Sequence, residues 1–410
     1  MNADAPDRIR TLDLIRGVAV LGILAVNITS FAAPSSTSYS PNLPAPGSAA
    51  DNWAFAFNLL FFEGKMRALF SILFGASMLL FIQRREEQGR DGAGLQVRRL
   101  WWLALIGWLH FALLWDGDVL FIYACIGLGA LYMRNTSPGQ LLGLALPVFL
   151  VWQIWGIANW APSVLQEQRV AEGTASVQER RDYAVIVAEK RRADQADTVN
   201  TLGSYTNEVA ARQSAHPAYP LALLATIWGE TLTYVMIGMA LLGSGFFAGE
   251  WPRRKLMALA VGATGLGLIG TLGFTAWAHP RGYPELAMQM AISYLLSIPH
   301  LLAALGYAAL LVLATPRLLA TWLGQRLEAA GRMAFSNYLG TTVVMCAIFY
   351  GWGLGLFGQY GAAALWQFVF LGWALMLAWS KPWLARYRQG PLEWLWRSLT
   401  EWRMLPIRKH

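Results

Sequence analysis

The chain has 410 residues, 56% of them hydrophobic and only 14% charged, with 20 tryptophans and a mean hydropathy of +0.40. Soluble globular chains carry about 25% charged residues, so this composition excludes that class and points to a membrane protein. The net charge of +8 does not indicate a nucleic-acid partner, because the basic residues cluster in short segments beside apolar runs.

Ten apolar runs are long enough to be read as membrane helices: 12–31, 53–81, 100–115, 119–133, 140–160, 221–248, 256–278, 286–314, 333–356 and 362–379. The first is too long for a signal-peptide core and carries Asp13 and Arg16 near its start, so it is predicted to be an uncleaved helix. Asp13 and Arg16 lie one turn apart on one face, with Asn27 further along the same face. A headgroup ion pair is the plain alternative to a functional role for the charged pair. The Pro/Ser-rich segment 34–50 reads as a flexible connector or as a lid over an outward pocket.

In the second run, FFEGKMRALFSILFG places Glu63 and Arg67 four residues apart, with Lys65 on another face. Gly64 is expected to break the helix there, leaving 53–62 as an interfacial lead-in. The third and fourth runs form a hairpin turning at Asp116-Gly117-Asp118. His110 lies near the turn, and a continuous helix would put the two aspartates about 9 to 12 Å further along the axis. A titratable imidazole facing acids inside a membrane is a functional-site candidate. A single hydrogen bond to a backbone carbonyl is the competing explanation.

Segment 161–219 is the one long loop, with seven basic and eight acidic residues. It is predicted to form one or two surface helices whose charges are solvated. Glu230 in the sixth run has Tyr234 one turn away, and a hydrogen bond between them would account for it. Gly262, Gly265, Gly267, Gly270 and Gly273 in the seventh run predict close helix packing. His300 follows Pro299 in mid-span, where proline frees a carbonyl and a structural role is expected. Asn337 lies deep in the ninth run, a usual place for a hydrogen bond between helices. The tail PLEWLWRSLTEWRMLPIRKH alternates tryptophan with arginine, as an interfacial helix does. The two cysteines, Cys125 and Cys346, sit inside apolar runs, which argues against a disulfide framework or a cysteine zinc site. GRDGAG (89–94) lacks a preceding strand, and there is no P-loop, HExxH or GxSxG motif.

Basic residues fall on alternate loops, which predicts both termini in the cytoplasm and loop 161–219 outside. The expected fold is all-α and polytopic, with about ten transmembrane helices. It divides into an N-terminal membrane half (1–160), an outer helical loop (161–219), a C-terminal membrane half (220–381) and an interfacial tail (382–410).

Several motifs carry a resemblance: RIRTLDLIRGVAVLGILAVN, FFEGKMRALFSILFGAS, HFALLWDGDVLFIYACIG, GRMAFSNYLG and GPLEWLWRSLT. In this order they resemble the YeiB-type family of bacterial membrane proteins, over nearly the whole chain. The opening R-x-x-x-L-D-x-x-R-G also resembles heparan-alpha-glucosaminide N-acetyltransferase and its bacterial relatives. That resemblance implies transfer of an acyl group, acetyl in the first instance, from cytosolic acyl-CoA to an amine or hydroxyl acceptor at the outer face, with a histidine at the centre. On this reading His110 is general base or acyl carrier, oriented by Asp118 with Asp116 as substitute. Arg16, with Arg10 and inner-loop arginines, holds the CoA phosphates. Lys65 and Arg67 face the acceptor or the developing oxyanion. Asp13, Asn27, Glu63, Glu230, His300 and Asn337 complete the set of intramembrane polar residues that would line the binding site. Acyl-CoA is the implied co-substrate with no metal, and the partners are the lipid bilayer and a small acceptor, a sugar or glycan among the candidates. Self-association into a homodimer is compatible with this reading. The bacterial inner membrane is the expected location. The rival reading is a transporter or proton-coupled channel in which His110, Glu63, Glu230 and Asp118 form a relay.

Overall fold

The structure, a computed structural model, describes residues 9–215 and 217–409. Among these residues the fold is all-helical, with no strand. Helix α1 (Arg10–Ala32) leads into an ordered loop and then α2 (Ala49–Phe61), which starts at a reciprocal Ser48–Asp51 cap. The chain breaks at Gly64, in the left-handed region at φ +70°, before α3 (Lys65–Glu87). Helices α4 (Gly92–Leu113) and α5 (Leu120–Ala130) form the hairpin. Helix α6 (Pro138–Ala171) runs out of the bundle and is followed by α7 (Val177–Thr201) and α8 (Tyr205–Ala215).

The second half opens with α9 (Tyr219–Gly243). Helix α10 (Arg253–Ala258) continues through a π-type turn into α11 (Thr264–Ala278), and α12 (Glu285–Met290) likewise approaches α13 (Ser297–Leu318). Helices α14 (Trp322–Arg332), α15 (Ala334–Phe349), α16 (Ala362–Arg386) and α17 (Pro391–Glu401) complete the chain.

Among the described residues seven helical runs are long and apolar enough to cross a membrane: Arg10–Ala32, Ala49–Glu87, Pro138–Ala171, Tyr219–Gly243, Arg253–Arg281, Ser297–Leu318 and Ala362–Arg386. Leu120–Met133 and Ala334–Phe349 are shorter apolar helices. Of the ten expected runs, only that at 100–115 falls in neither group. Its helix, α4, includes Arg98 and Arg99 and is rich in tryptophan.

Helices α1, α3 and α9 form the interior. Leu14, Ile15, Ala19, Leu69, Ile72, Val235 and Met236 are fully buried there, while α11 and α16 turn much of their apolar surface outward. The expected break at Gly64 is present. The expected continuous run 286–314 is not continuous. It is interrupted at Leu296, so Pro299 falls in the first turn of α13 and not in mid-helix; a proline there sacrifices no helical hydrogen bond.

Of the five glycines of α10–α11, only Gly267 and Gly270 approach a neighbour, at Pro299 and Ala303. Gly262, Gly265 and Gly273 face open space. The outer helices also differ from a solvated surface. Lys190 pairs with Glu285 at 2.7 Å, and Arg212 donates to the carbonyls of Phe111 (3.0 Å) and Leu114 (3.4 Å), capping α4.

Candidate functional site

The hairpin turn brings His110 and Asp118 into direct contact. His110 Nδ1 lies 2.8 Å from Asp118 Oδ1, and both side chains are about 1% exposed. The separation is far below that of a continuous helix, because α4 ends at Leu113 and the chain folds back before α5. Asp118 Oδ2 accepts the Phe121 N–H at 3.0 Å, so one carboxylate caps α5 and holds the imidazole. His110 Nε2 is buried without a hydrogen-bond partner. That ring nitrogen is thus left for a ligand or substrate, while its partner fixes the ring. Asp116 does not join the pair. It lines a separate cavity of about 340 Å³ with Asp197, Arg212 and Tyr350, under the outer helices.

Three cavities follow one face of α1. The first, about 140 Å³, lies at the basic end, and its walls include Arg16, Gln96, Arg99, Tyr123 and Tyr338. A small pocket of about 10 Å³ lies further along, lined by Val20, Ile23, Asn27, Phe31, Tyr338, Thr342 and Met376. Beyond it an outer cavity of about 380 Å³ is walled by Asn27, Asn58, Glu63, Arg67, Trp160 and Gln289. Tyr39 and Ser38 of the Pro/Ser-rich loop also line it, so this loop acts as a cover. From Arg16 to Ser30 the track spans about 21 Å of helix.

The dyad stands one aromatic layer behind this small pocket. The Tyr338 ring lies 5.6 Å from that of His110, and Trp115, 6.2 Å from His110, packs tilted against Phe31 at 4.1 Å. On its other side His110 borders an apolar groove shared with Leu109, Ser336, Leu339 and Trp379.

The charged residues of α2–α3 separate into different roles. Arg67 pairs with Glu230 at 3.1 Å, and the Tyr234 hydroxyl donates to Glu230 at 2.6 Å. This is a neutralised network bordering the outer cavity. Lys65 is fully buried and donates to the Leu59 carbonyl (2.8 Å) and to Thr271 Oγ1 (3.3 Å). Leu59 is in the last turn of α2, so the ammonium caps that helix end and meets its negative pole. Glu63 stays on the outer cavity, accepting the Gly64 N–H at 3.1 Å. His300 packs on Gly64, and both its ring nitrogens are buried without partners.

At the basic end Arg16 donates to Asp13 (2.9 Å) and Ser77 (2.6 Å), and Arg10 makes a two-pronged pair with Glu328 at 2.8 and 2.7 Å. Asn337 is saturated. It donates to the Ala330 carbonyl and Ser380 and accepts from Trp379, which makes it the interhelical tie its depth suggests.

Three features escaped sequence reasoning: the Tyr338 wall, the packing of Arg99 against Trp396, and Glu393, which accepts the N–H groups of Phe335 and Ser336 at the start of α15. The only hint of the last was that GRMAFSNYLG and GPLEWLWRSLT occur together.

Over 394 residues the chain is 30% identical to YeiB of Escherichia coli (strain K12), an uncharacterized protein, with 95% of each chain covered. The chain belongs to the YeiB-type family. YxaH of Bacillus subtilis (strain 168), also uncharacterized, is 30% identical over 423 residues, covering 98% of this chain and 96% of its own. The family described as "Protein of unknown function (DUF418)" matches residues 241–403, which holds His300, Asn337 and Glu393. The His110–Asp118 dyad and the α1 face lie in the other half, within the span that the YeiB-type relatives cover. No solved structure matches the chain.

Proposed function

We propose that this YeiB-type protein is a polytopic membrane acyltransferase. It moves an acyl group, acetyl in the first instance, from acyl-CoA on the cytoplasmic side to an amine or hydroxyl acceptor on the outer side. The observation that carries this reading is the dyad: a buried imidazole fixed at Nδ1 by a carboxylate, its Nε2 without a partner, one aromatic ring away from the cavities that follow α1. The acyl-CoA enters at Arg16, and the acceptor occupies the outer cavity near Glu63 and Arg67. Nε2 takes the acceptor proton as the acceptor attacks the thioester carbonyl. The carbon–sulfur bond breaks, and the imidazolium returns the proton to the leaving thiolate. Asp118 stabilises the cation formed meanwhile. Tyr338 must swing aside for Nε2 to reach the track. The reading places ten spans in a bacterial inner membrane with both termini in the cytoplasm.

The test is release of free CoA from acetyl-CoA by protein in proteoliposomes, with glucosamine or a simple amine on the far side. His110→Gln should lower turnover at least about 10²-fold, the scale of general-base loss, while CoA binding and folding persist. A folded, fully active His110→Gln protein removes His110 from the mechanism.

A second reading has its own observation. The interrupted helices α2–α3 and α12–α13 meet where His300 packs on Gly64, beside the Arg67–Glu230 pair. Broken helices around a polar site are how transporters bind solutes. Failure of millimolar CoA to raise the melting temperature would favour this transporter.

A further inference from the structure

At the basic end of the track, Arg99 is held as no other arginine among the described residues is. Its guanidinium is sandwiched between the rings of Phe81, 4.1 Å away, and Trp396, 4.3 Å away. Trp396 also donates its indole N–H to the Arg99 carbonyl at 2.9 Å, tying α17 to α4. The nearby acids are already committed: Asp13 to Arg16, and Glu401 to both Arg85 and Arg90. Arg99 itself has no carboxylate partner among the described residues. Its Nε is buried without a hydrogen bond, and its closest polar contact is Gln96 at 3.4 Å. Arg397, Arg85 and Arg16 stand nearby, the last two already paired with Glu401 and Asp13.

A guanidinium held by two rings, with no carboxylate of its own and facing a cavity, has the electrostatics of an anion site. Contact with two rings leaves the N–H groups as its remaining donors, and those match phosphate oxygens. Above Arg99 the cavity becomes apolar, with Phe70, Phe74 and Leu103 in its wall, and its volume of about 140 Å³ is close to that which takes up a benzene-sized group.

We infer that Arg99, stacked between Phe81 and Trp396, is the anchoring site for a phosphate group at the head of a narrow chain, and that α17 is one wall of that site. This deepens the acyl-CoA reading, from which it takes the direction of entry, by naming the phosphate anchor. The same chemistry could be supplied by a bilayer phospholipid.

The experiment measures binding to full-length protein in detergent with four probes: coenzyme A, pantetheine (which lacks the phosphates), inorganic pyrophosphate, and mixed micelles containing phosphatidic acid. Coenzyme A should bind at least tenfold more tightly than pantetheine, and pyrophosphate should compete with it. Arg99→Gln should weaken coenzyme A tenfold to a hundredfold, the range of one lost charged hydrogen bond. Arg99→Lys, which keeps the charge but loses the planar fork, should fall between and serves if Arg99→Gln does not fold. Trp396→Leu should weaken coenzyme A and leave pantetheine unchanged.

Coenzyme A bound equally by wild type, Arg99→Gln and Arg99→Lys would overturn this inference and leave the acyl-CoA reading standing. Arg99-dependent binding of phosphatidic acid without any binding of coenzyme A would support the anchor and remove that reading. Equal affinity for phosphate-bearing and phosphate-free probes would overturn the anchor.

Discussion

Asp118 shows how much one carboxylate can be asked to do. One oxygen holds His110 Nδ1 and the other caps α5 through Phe121 N–H. Asp118→Asn keeps the shape but has only one accepting oxygen. If that oxygen keeps the cap, the amide N–H₂ faces Nδ1 and forces the ring proton onto Nε2, the tautomer that cannot act as a base. The expected result is a fall in turnover of tenfold or more at saturating acetyl-CoA, with the KM for acetyl-CoA unchanged. A variant with wild-type turnover would show that the carboxylate is only a helix cap. At Asn337 the effect should be on stability alone. Asn337→Ala strands the Trp379 indole, so unfolding should become easier by about 1–3 kcal/mol in denaturant titration, with coenzyme A affinity unchanged. The residue types of the site were legible in the sequence because charged and polar groups stand out in apolar runs. Their pairing was not. The sequence brings Asp13 to Arg16 and Tyr234 to Glu230 through helical spacing, but it cannot show that the turn after Leu113 folds Asp118 back onto His110. Nor can it show that Arg67 faces Glu230, 163 positions away.

The helix breaks were half legible for the same reason. Gly64 announces itself inside an apolar run, whereas at Leu296 the signal is weaker: Ser297 and Pro299 follow it, and the chain breaks ahead of the proline instead of at it. Gly64 sits at φ +70°, and a Cβ there would meet His300 Nδ1 at 1.8 Å. Gly64→Ala should therefore lower stability by more than the 1–2 kcal/mol of the left-handed backbone alone, seen as a depressed melting temperature in detergent. Gly262→Ala, facing open space in a helix, should be neutral or stabilising. Adding His300→Ala to Gly64→Ala should recover only the clash. The outer helices give a pH test. Burial, reinforced by Asp116 and Asp194 and opposed by Thr201 and Arg212, pushes the Asp197 carboxyl up to about 7. Between about pH 4 and 7 the folded state therefore holds a proton that the unfolded state has lost, so stability falls as pH rises through that window and levels off above it. Hydrogen exchange of α7 and α8 should accelerate from pH 5 to pH 7 beyond its intrinsic pH dependence. Asp197→Asn should remove that excess, and an unchanged excess would mean that Asp197 does not titrate there.

At the scale of the molecule, everything functional depends on which end faces the cytoplasm. Arg10, Arg85, Arg90, Arg98 and Arg397 gather at one end of the bundle, where Glu401 of α17 binds Arg85 and Arg90. At the opposite end lie α7 and α8, which carry equal numbers of acids and bases; long segments of that kind can translocate with little regard to charge. Short basic segments stay in the cytoplasm, so the Arg99 end should be inside and the outer cavity outside. Nucleotide-linked donors are cytosolic, so this orientation is also the one the acyl-CoA reading requires. Reporter fusions decide it: those at Gly92 and Arg408 should report cytoplasm, and one at Ala175 should report the outside. If Ala175 reports cytoplasm while Gly92 does too, a span has been misassigned between them, α4 being the first suspect because it is the one expected run outside both the long and the shorter apolar helices. If all three signals invert, the helices stand but Arg99 faces outward. An acyl-CoA could then no longer reach its proposed anchor, and a lipid phosphate in the outer leaflet would become the ligand to test.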